Sequence, residues 1–132
     1  MSFELQTAVW TTVILFVLLM FQGGLVPVVQ GLKWGLGSRD GGPEKSALQE
    51  RVARTAANHI ESMLLFLPLI MVAHLADVSS TLTVWGAGLY LAGRIAYVPL
   101  YLLGVPILRS ASWTMAITGI ALVGYEVFRA FI

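Results

Sequence analysis

The sequence contains no cysteine among its 132 residues. This absence excludes disulfides, iron–sulfur clusters and thiolate zinc sites, and it leaves the protein without a thiol that could act as a nucleophile. Any thiol chemistry in which the protein takes part must therefore use a thiol that the substrate supplies.

Charged residues are scarce as well. They form 11% of the sequence, against about 25% in soluble domains, while 58% of the residues are hydrophobic. A formal net charge of +1, with no basic run interleaved with aromatics, argues against a nucleic-acid partner. The composition predicts an integral membrane protein with one domain, residues 1–132, and room for four spans of about 20 residues each.

Four apolar segments are expected to cross the membrane as helices, at residues 5–32, 50–76, 81–105 and 112–128. Between the first two, residues 35–50 are so rich in turn formers that neither a helix nor a strand is expected there. Ser46 can cap the second long helix. The predicted fold class is therefore all-α, an integral membrane four-helix bundle with short connections.

The distribution of lysine and arginine predicts the orientation. These residues concentrate in the first connection and the start of the second span, and Arg109 is expected in the third connection, whereas the opposite side has only Arg129. The positive-inside rule then places the first and third connections in the cytoplasm and both termini outside. Because no targeting signal is recognised, we expect a bacterial inner membrane.

A polar stripe interrupts the second span. Arg51, Arg54, Asn58 and Glu61 fall within an arc of about 80° on a helix. A charge inside a membrane costs about 2.5 to 3.5 kcal/mol and rarely persists without a partner. The stripe is therefore expected to meet a partner or a ligand, and not lipid.

The third span carries a second polar face, formed by an arginine and two tyrosines within an arc of about 60°. With a rise of about 1.5 Å per residue, the two faces match level by level. The matched levels are Glu61 with Arg94, Asn58 with Tyr97, and Arg54 with Tyr101. An ion pair between Glu61 and Arg94 could simply join the helices, but the additional polar groups favour a binding pocket near the cytoplasmic surface.

Such a pocket offers several cations, one carboxylate, an amide and two phenols, which suits a small zwitterion with more negative than positive groups. Glutathione has this charge pattern, because its two carboxylates can accept hydrogen bonds from arginines and its ammonium group can approach Glu61. A cation near its sulfur would lower the thiol pKa. From a cysteine-like pKa of about 8.5, a shift of about two units makes most of the thiol a thiolate at neutral pH.

The same residues resemble a known family. The pattern Glu-Arg-x-x-Arg-x-x-x-Asn-x-x-Glu at residues 50–61, then Arg-x-x-Tyr-x-x-x-Tyr at 94–101 and Arg-Ser at 109–110, is similar to that of the MAPEG family, the membrane-associated proteins of eicosanoid and glutathione metabolism. The resemblance implies a four-helix subunit in a homotrimer. It also implies that glutathione, as co-substrate, binds near the cytoplasmic side between neighbouring subunits.

Residue roles follow from the resemblance. Arg109 would stabilise the glutathione thiolate, and Ser110 stands where one branch of the family has a serine near the thiol. Lys33 occupies the place at which members often carry an arginine pair. The full set expected to bind glutathione is Arg51, Arg54, Asn58, Glu61, Arg94, Tyr97, Tyr101 and Lys33.

The predicted function is that of a membrane-bound glutathione transferase, with glutathione peroxidase activity as an extension, acting on lipophilic electrophiles or hydroperoxides. A protein of the same fold that binds glutathione or lipid without turnover is the alternative. A small multidrug exporter is disfavoured, because such exporters carry their key glutamate in the first span. His74 and Asp77 are too few ligands for a metal site, so no metal is expected.

Overall fold

The structure is a computed structural model that describes residues 1–132. All of its regular secondary structure is helical, and it has no strand. The prediction of an all-α fold is confirmed. Four of the helices are long and one is short. In chain order they are α1 (Phe3–Val29), α2 (Leu32–Leu36), α3 (Ala47–Leu75), α4 (Thr81–Leu102) and α5 (Pro106–Phe131).

Capping residues set the starts of α3 and α4. Ser46 accepts a hydrogen bond from the backbone N–H of Gln49, and the Gln49 side chain accepts one from the backbone of Ser46, so the predicted cap is confirmed. Ser80 and Thr83 form the same reciprocal arrangement at α4. Each pair satisfies two backbone donors that the first turn of a helix leaves free.

Several helices begin or end away from the predicted span boundaries. The fourth span is predicted to begin at residue 112, but α5 begins at Pro106. Proline suits the first position of a helix, because the backbone N–H at that position makes no hydrogen bond within the helix. Arg109 and Ser110 therefore lie in the first turns of α5 and not in the connection. α4 ends at Leu102, and Gly104, with φ of 73°, makes the turn that follows. The predicted loop 35–50 contains the end of α2 and the start of α3.

The helices α1, α3 and α5 are long and apolar enough to cross a membrane. α4 is not among them, because an arginine, three tyrosines and several glycines dilute its apolar residues, so its role as a fourth span stays a prediction. α1 buries Glu4, Thr7 and Thr11 while Trp10 and Phe16 are exposed. Polar residues inside and aromatic residues outside are the reverse of a soluble helix, and the protein is an integral membrane protein.

α4 and α5 pack very closely, through glycines. A Cβ atom on Gly93 would lie 2.8 Å from the carbonyl oxygen of Ser112, and one on Gly86 would lie 2.8 Å from the carbonyl oxygen of Gly119. Small residues at such crossings let helix backbones approach each other. This contact places the start of α5, with Arg109 and Ser110, beside the end of α4.

Polar contacts join both ends of α1 to the other helices. At its start, Glu4 accepts hydrogen bonds from the hydroxyl groups of Ser79 (3.0 Å) and Thr83 (2.8 Å). Beyond its end, Gln30 and Gln49 exchange two amide hydrogen bonds of 2.7 Å. Arg51 near the start of α3 also donates a hydrogen bond to the carbonyl oxygen of Leu102, at the end of α4 (3.3 Å). The end of α1, the start of α3 and the turn between α4 and α5 therefore lie at the same end of the bundle.

Candidate functional site

The predicted polar stripe of α3 lies on the outside of the subunit. Asn58 is half-buried, and Arg51, Arg54 and Glu61 are exposed. The row that packs into the bundle is displaced from the stripe by one residue, which is about 100° around the helix. That buried row includes Val52, Thr55, His59, Ser62 and Phe66. The side chains of the stripe are thus accessible on the outer surface of the helix bundle.

Arg94 of α4 is fully buried at the edge of this stripe. Its Nε donates a hydrogen bond to Nδ1 of His59 (3.0 Å), and its Nη1 donates one to Oδ1 of Asn58 (2.9 Å). The guanidinium carbon lies 4.4 Å from the centre of the Tyr97 ring. Nη2 is buried without a partner. Neutral acceptors and an aromatic face hold this cation, and no carboxylate takes part.

The predicted ion pair between Glu61 and Arg94 is wrong. The protein has two ion pairs, and neither includes Glu61 or Arg94. Glu61 follows the exposed stripe and is turned about 100° from its neighbour Ser62, which faces the bundle. Arg94 instead contacts His59 of the buried row and the half-buried Asn58 of the stripe, which lies one turn before Glu61.

A cavity of about 480 Å³ brings together five of the predicted site residues, from three helices. Asn58 comes from α3, Tyr97 and Tyr101 come from α4, and Arg109 and Ser110 come from α5. Trp113 and Thr114, one turn further along α5, complete the lining. The cavity has cationic, amide, phenol and hydroxyl groups, and no carboxylate of the subunit lines it.

The two tyrosines that line the cavity each carry an arginine on one ring face, Arg109 inside the cavity and the buried Arg94 beside it. The rings of Tyr97 and Tyr101 are 5.6 Å apart and tilted by 52°. The guanidinium carbon of Arg109 lies 5.1 Å from the centre of the Tyr101 ring, as Arg94 lies over Tyr97. Neither ion pair of the protein involves Arg109. A ring face leaves the N–H groups at the edge of a guanidinium available, so this cation can bind an anion.

Ser110 lines the cavity but uses its hydroxyl hydrogen within α5. Its Oγ donates a hydrogen bond to the carbonyl oxygen of Pro106 at 3.0 Å. In this rotamer the hydroxyl can accept a hydrogen bond from a ligand but cannot donate one.

Five predicted site residues do not line the cavity, namely Arg94, Glu61, Arg54, Arg51 and Lys33. Arg54 pairs with Glu50 at 3.2 Å on the exposed surface of α3, so its predicted place beside Tyr101 is not observed. Arg51 reaches α4 instead, where its Nη1 donates to the carbonyl oxygen of Leu102 (3.3 Å). Lys33 is exposed on α2 and lines a separate surface cavity. The chain therefore gathers only part of the predicted set in one cavity.

Sequence reasoning missed His59. The residue is fully buried, and its Nε2 lies 2.9 Å from the carbonyl oxygen of Thr11 and 3.2 Å from the Thr11 hydroxyl. Its position in the buried row, four residues after Thr55 and three before Ser62, is the signal that could have revealed it. A polar side chain in an inward row requires hydrogen-bond partners.

The sequence matches the MAPEG family over residues 7–128, which is nearly the whole chain. That range contains every residue of the cavity and of the polar stripe. Among curated protein sequences, none matches this chain.

Proposed function

This chain belongs to the MAPEG family, whose members are membrane proteins of glutathione and eicosanoid metabolism, and we propose that it is a glutathione transferase. It activates the thiol of glutathione for attack on lipophilic electrophiles. One observation carries the proposal. Arg109 lies over Tyr101 in a cavity that no carboxylate lines, and Arg109 forms no ion pair within the chain.

Arg109 is the proposed catalytic residue. A guanidinium beside the sulfur favours the thiolate over the thiol, because an opposite charge within about 4 to 6 Å lowers the pKa of an acid. A shift of about two units from about 8.5 corresponds to about 2.7 kcal/mol. Ser110 would have to leave the Pro106 carbonyl before its hydroxyl could donate to the sulfur. The positive charge of Arg109 therefore supplies the main stabilisation.

The remaining polar groups suit the ends of the peptide. The carboxylates of glutathione match the arginines of the stripe, Arg51 and Arg54, whose guanidinium groups bind carboxylates in two-pronged geometry. The ammonium group matches Glu61, which is exposed and without an ion-pair partner in the subunit. Asn58 and the two tyrosines then line the peptide between its ends and the sulfur.

We also propose that the site is completed between subunits of a homotrimer in the membrane, with its opening toward the cytoplasm. An exposed stripe of charges on a membrane helix is costly unless a partner or ligand covers it. A neighbouring subunit that packs on the stripe would cover those charges, and its Lys33 could supply a further cation. The apolar electrophile would reach the thiolate from the bilayer. With a hydroperoxide, the same thiolate would attack the O–O bond and release the alcohol, leaving glutathione sulfenic acid. A second glutathione would then displace water to form the disulfide.

The proposal is tested by titrating the detergent-purified protein with glutathione and recording the ultraviolet absorbance of the thiolate. The protein contributes no thiol of its own, since it has no cysteine. S-methylglutathione is the matched control, because it keeps the peptide and lacks the ionisable thiol. A saturable thiolate signal with glutathione alone supports a thiol-activating enzyme. Binding of both peptides without that signal supports the non-catalytic alternative and contradicts the proposal.

A further inference from the structure

The contacts of His59 determine which of its ring nitrogens carries the proton. Nδ1 faces Nε of Arg94 at 3.0 Å. A guanidinium can only donate hydrogen bonds, so Nδ1 is the acceptor and carries no hydrogen. Nε2 faces the carbonyl oxygen of Thr11 at 2.9 Å, which can only accept, so Nε2 carries the hydrogen. His59 is therefore a neutral imidazole whose two nitrogens are both engaged, and it has no free nitrogen to act as a general base.

A buried hydrogen-bond network fixes this ring on its far side. The hydroxyl groups of Thr11, Tyr90 and Ser62 lie in a chain, with oxygens 3.2 and 3.1 Å apart. Thr11 and Tyr90 are fully buried, as is His59. The chain links α1, α3 and α4, and turning the ring would break its own contacts to Thr11 of α1 and Arg94 of α4.

On the side of the ring that faces the cavity, His59 is connected to the candidate site through its hydrogen bond with Arg94. The Arg94 guanidinium holds the amide of Asn58 at 2.9 Å and lies over the ring of Tyr97. Both of those residues line the cavity. A hydrogen bond that involves a charged group is stronger than a neutral one, and the bond to His59 is one of only two that Arg94 makes.

We propose that His59 is a positioning residue for the glutathione-binding cavity. As the neutral Nε2–H tautomer, it fixes Arg94 and, through Arg94, sets the positions of Asn58 and Tyr97. The inference rests on the proposed function, since it assigns His59 a role in the binding of the same peptide. A residue that merely filled the bundle would affect stability alone.

Two substitutions separate the two hydrogen bonds of His59. In His59→Asn, the amide oxygen stands near the place of Nδ1 and can accept from Arg94, while the contact with Thr11 is lost. In His59→Gln, the amide reaches the place of Nε2 and can donate to Thr11, while the acceptor for Arg94 is lost. Each variant keeps one bond and loses the other, which makes them controls for one another.

The measurement is the glutathione dissociation constant from the thiolate titration, together with the unfolding temperature in detergent. We expect His59→Gln to raise the dissociation constant about tenfold, which is the effect of one lost hydrogen bond to a charged group. His59→Asn should stay within about threefold of the wild type, since the acceptor for Arg94 is kept. Equal losses of affinity in both variants, or none in either, overturn the positioning role.

Nitrogen NMR of the wild-type protein labelled with ¹⁵N-histidine provides a test that does not depend on glutathione. The chain has two histidines, so in a His74→Gln variant the ring-nitrogen signals come from His59 alone. A neutral Nε2–H tautomer supports the inference, and an Nδ1–H tautomer or a doubly protonated ring overturns it. A wild type that shows the Nε2–H tautomer but binds no glutathione overturns the proposed function together with the role that depends on it. Normal binding with the wrong tautomer overturns the positioning role alone.

Discussion

The Nε group of Arg94 donates a hydrogen bond to Nδ1 of His59 across 3.0 Å, which joins α4 to α3 with both side chains fully buried. This contact replaces the carboxylate that a buried arginine is expected to pair with. Since Arg94 does not depend on Glu61, stability and glutathione binding can be separated at these two positions.

Glu61→Gln should leave stability unchanged and weaken glutathione binding. Glu61 is exposed and forms no ion pair in the subunit, and a surface substitution of this kind changes stability by less than about 0.5 kcal/mol. The amide cannot neutralise the ammonium group of glutathione, so the dissociation constant should rise about tenfold, the usual effect of losing one charged hydrogen bond. Thermal unfolding and the thiolate titration measure the two effects. A large loss of stability with normal binding contradicts the assignment.

Arg94→Met should destabilise the protein, because it leaves Nδ1 of His59 and Oδ1 of Asn58 without their donor. A buried acceptor that loses its partner costs about 1 to 3 kcal/mol. Arg39→Met is the control, since this arginine is exposed in the first connection and surface substitutions change stability by less than about 0.5 kcal/mol. Unfolding of both variants in detergent provides the comparison, and similar stability for the two would show that the His59 and Asn58 contacts matter little.

The sequence predicts part of the cavity but not which side chains of α3 meet Arg94. Asn58 and Tyr97, which the helical rise places at one level, both line one cavity with Arg109. The expected pairing of Glu61 with Arg94 fails, because a displacement of one residue turns a side chain by about 100° while moving it only about 1.5 Å along the axis. Which face of α3 meets α4 is decided by packing over the whole helix, including contacts with α1 and α5.

Features that depend only on residues close in sequence can be predicted from the sequence. The Ser46 cap needs only the neighbouring residues, and it was predicted correctly. The predicted start of the fourth span lies after Arg109, where the charge ends, whereas α5 begins earlier, at Pro106. The role of His59 depends on Thr11 and Arg94, which lie 48 and 35 residues away. No pattern within α3 identifies such partners.

Gly93→Ala should separate α4 from α5. Its Cβ would lie 2.8 Å from the Ser112 carbonyl oxygen and from the Ala116 nitrogen, both of which belong to the backbone and cannot move aside easily. Overpacking of this kind costs about 1 to 3 kcal/mol. Gly88→Ala is the control in the same helix, where the nearest atom is a Phe3 ring carbon at 3.7 Å. That change should be neutral or stabilising by up to about 1 kcal/mol, because alanine favours helix. Equal effects on the unfolding temperature would contradict the close packing.

The orientation can be measured with single cysteines, since the chain has none. Ser38 lies in the connection after α2, and Ala76 follows the opposite end of α3; both are exposed. With the first connection in the cytoplasm, Ser38→Cys should resist a membrane-impermeant thiol reagent in intact cells and react in inverted vesicles. Ala76→Cys should behave in the opposite way. The reverse pattern would place the cavity on the outer side.

The most direct test of the account is the pH dependence of the glutathione thiolate signal in the wild type and in Arg109→Ala. Because the guanidinium favours the thiolate, its removal should raise the pH midpoint of thiolate formation, by about two units if Arg109 supplies most of the shift. Arg39→Ala, which removes an exposed cation from the first connection, is the control and should leave the midpoint unchanged. A midpoint that stays the same in Arg109→Ala, with glutathione still bound, would contradict the role of Arg109 in activating the thiol.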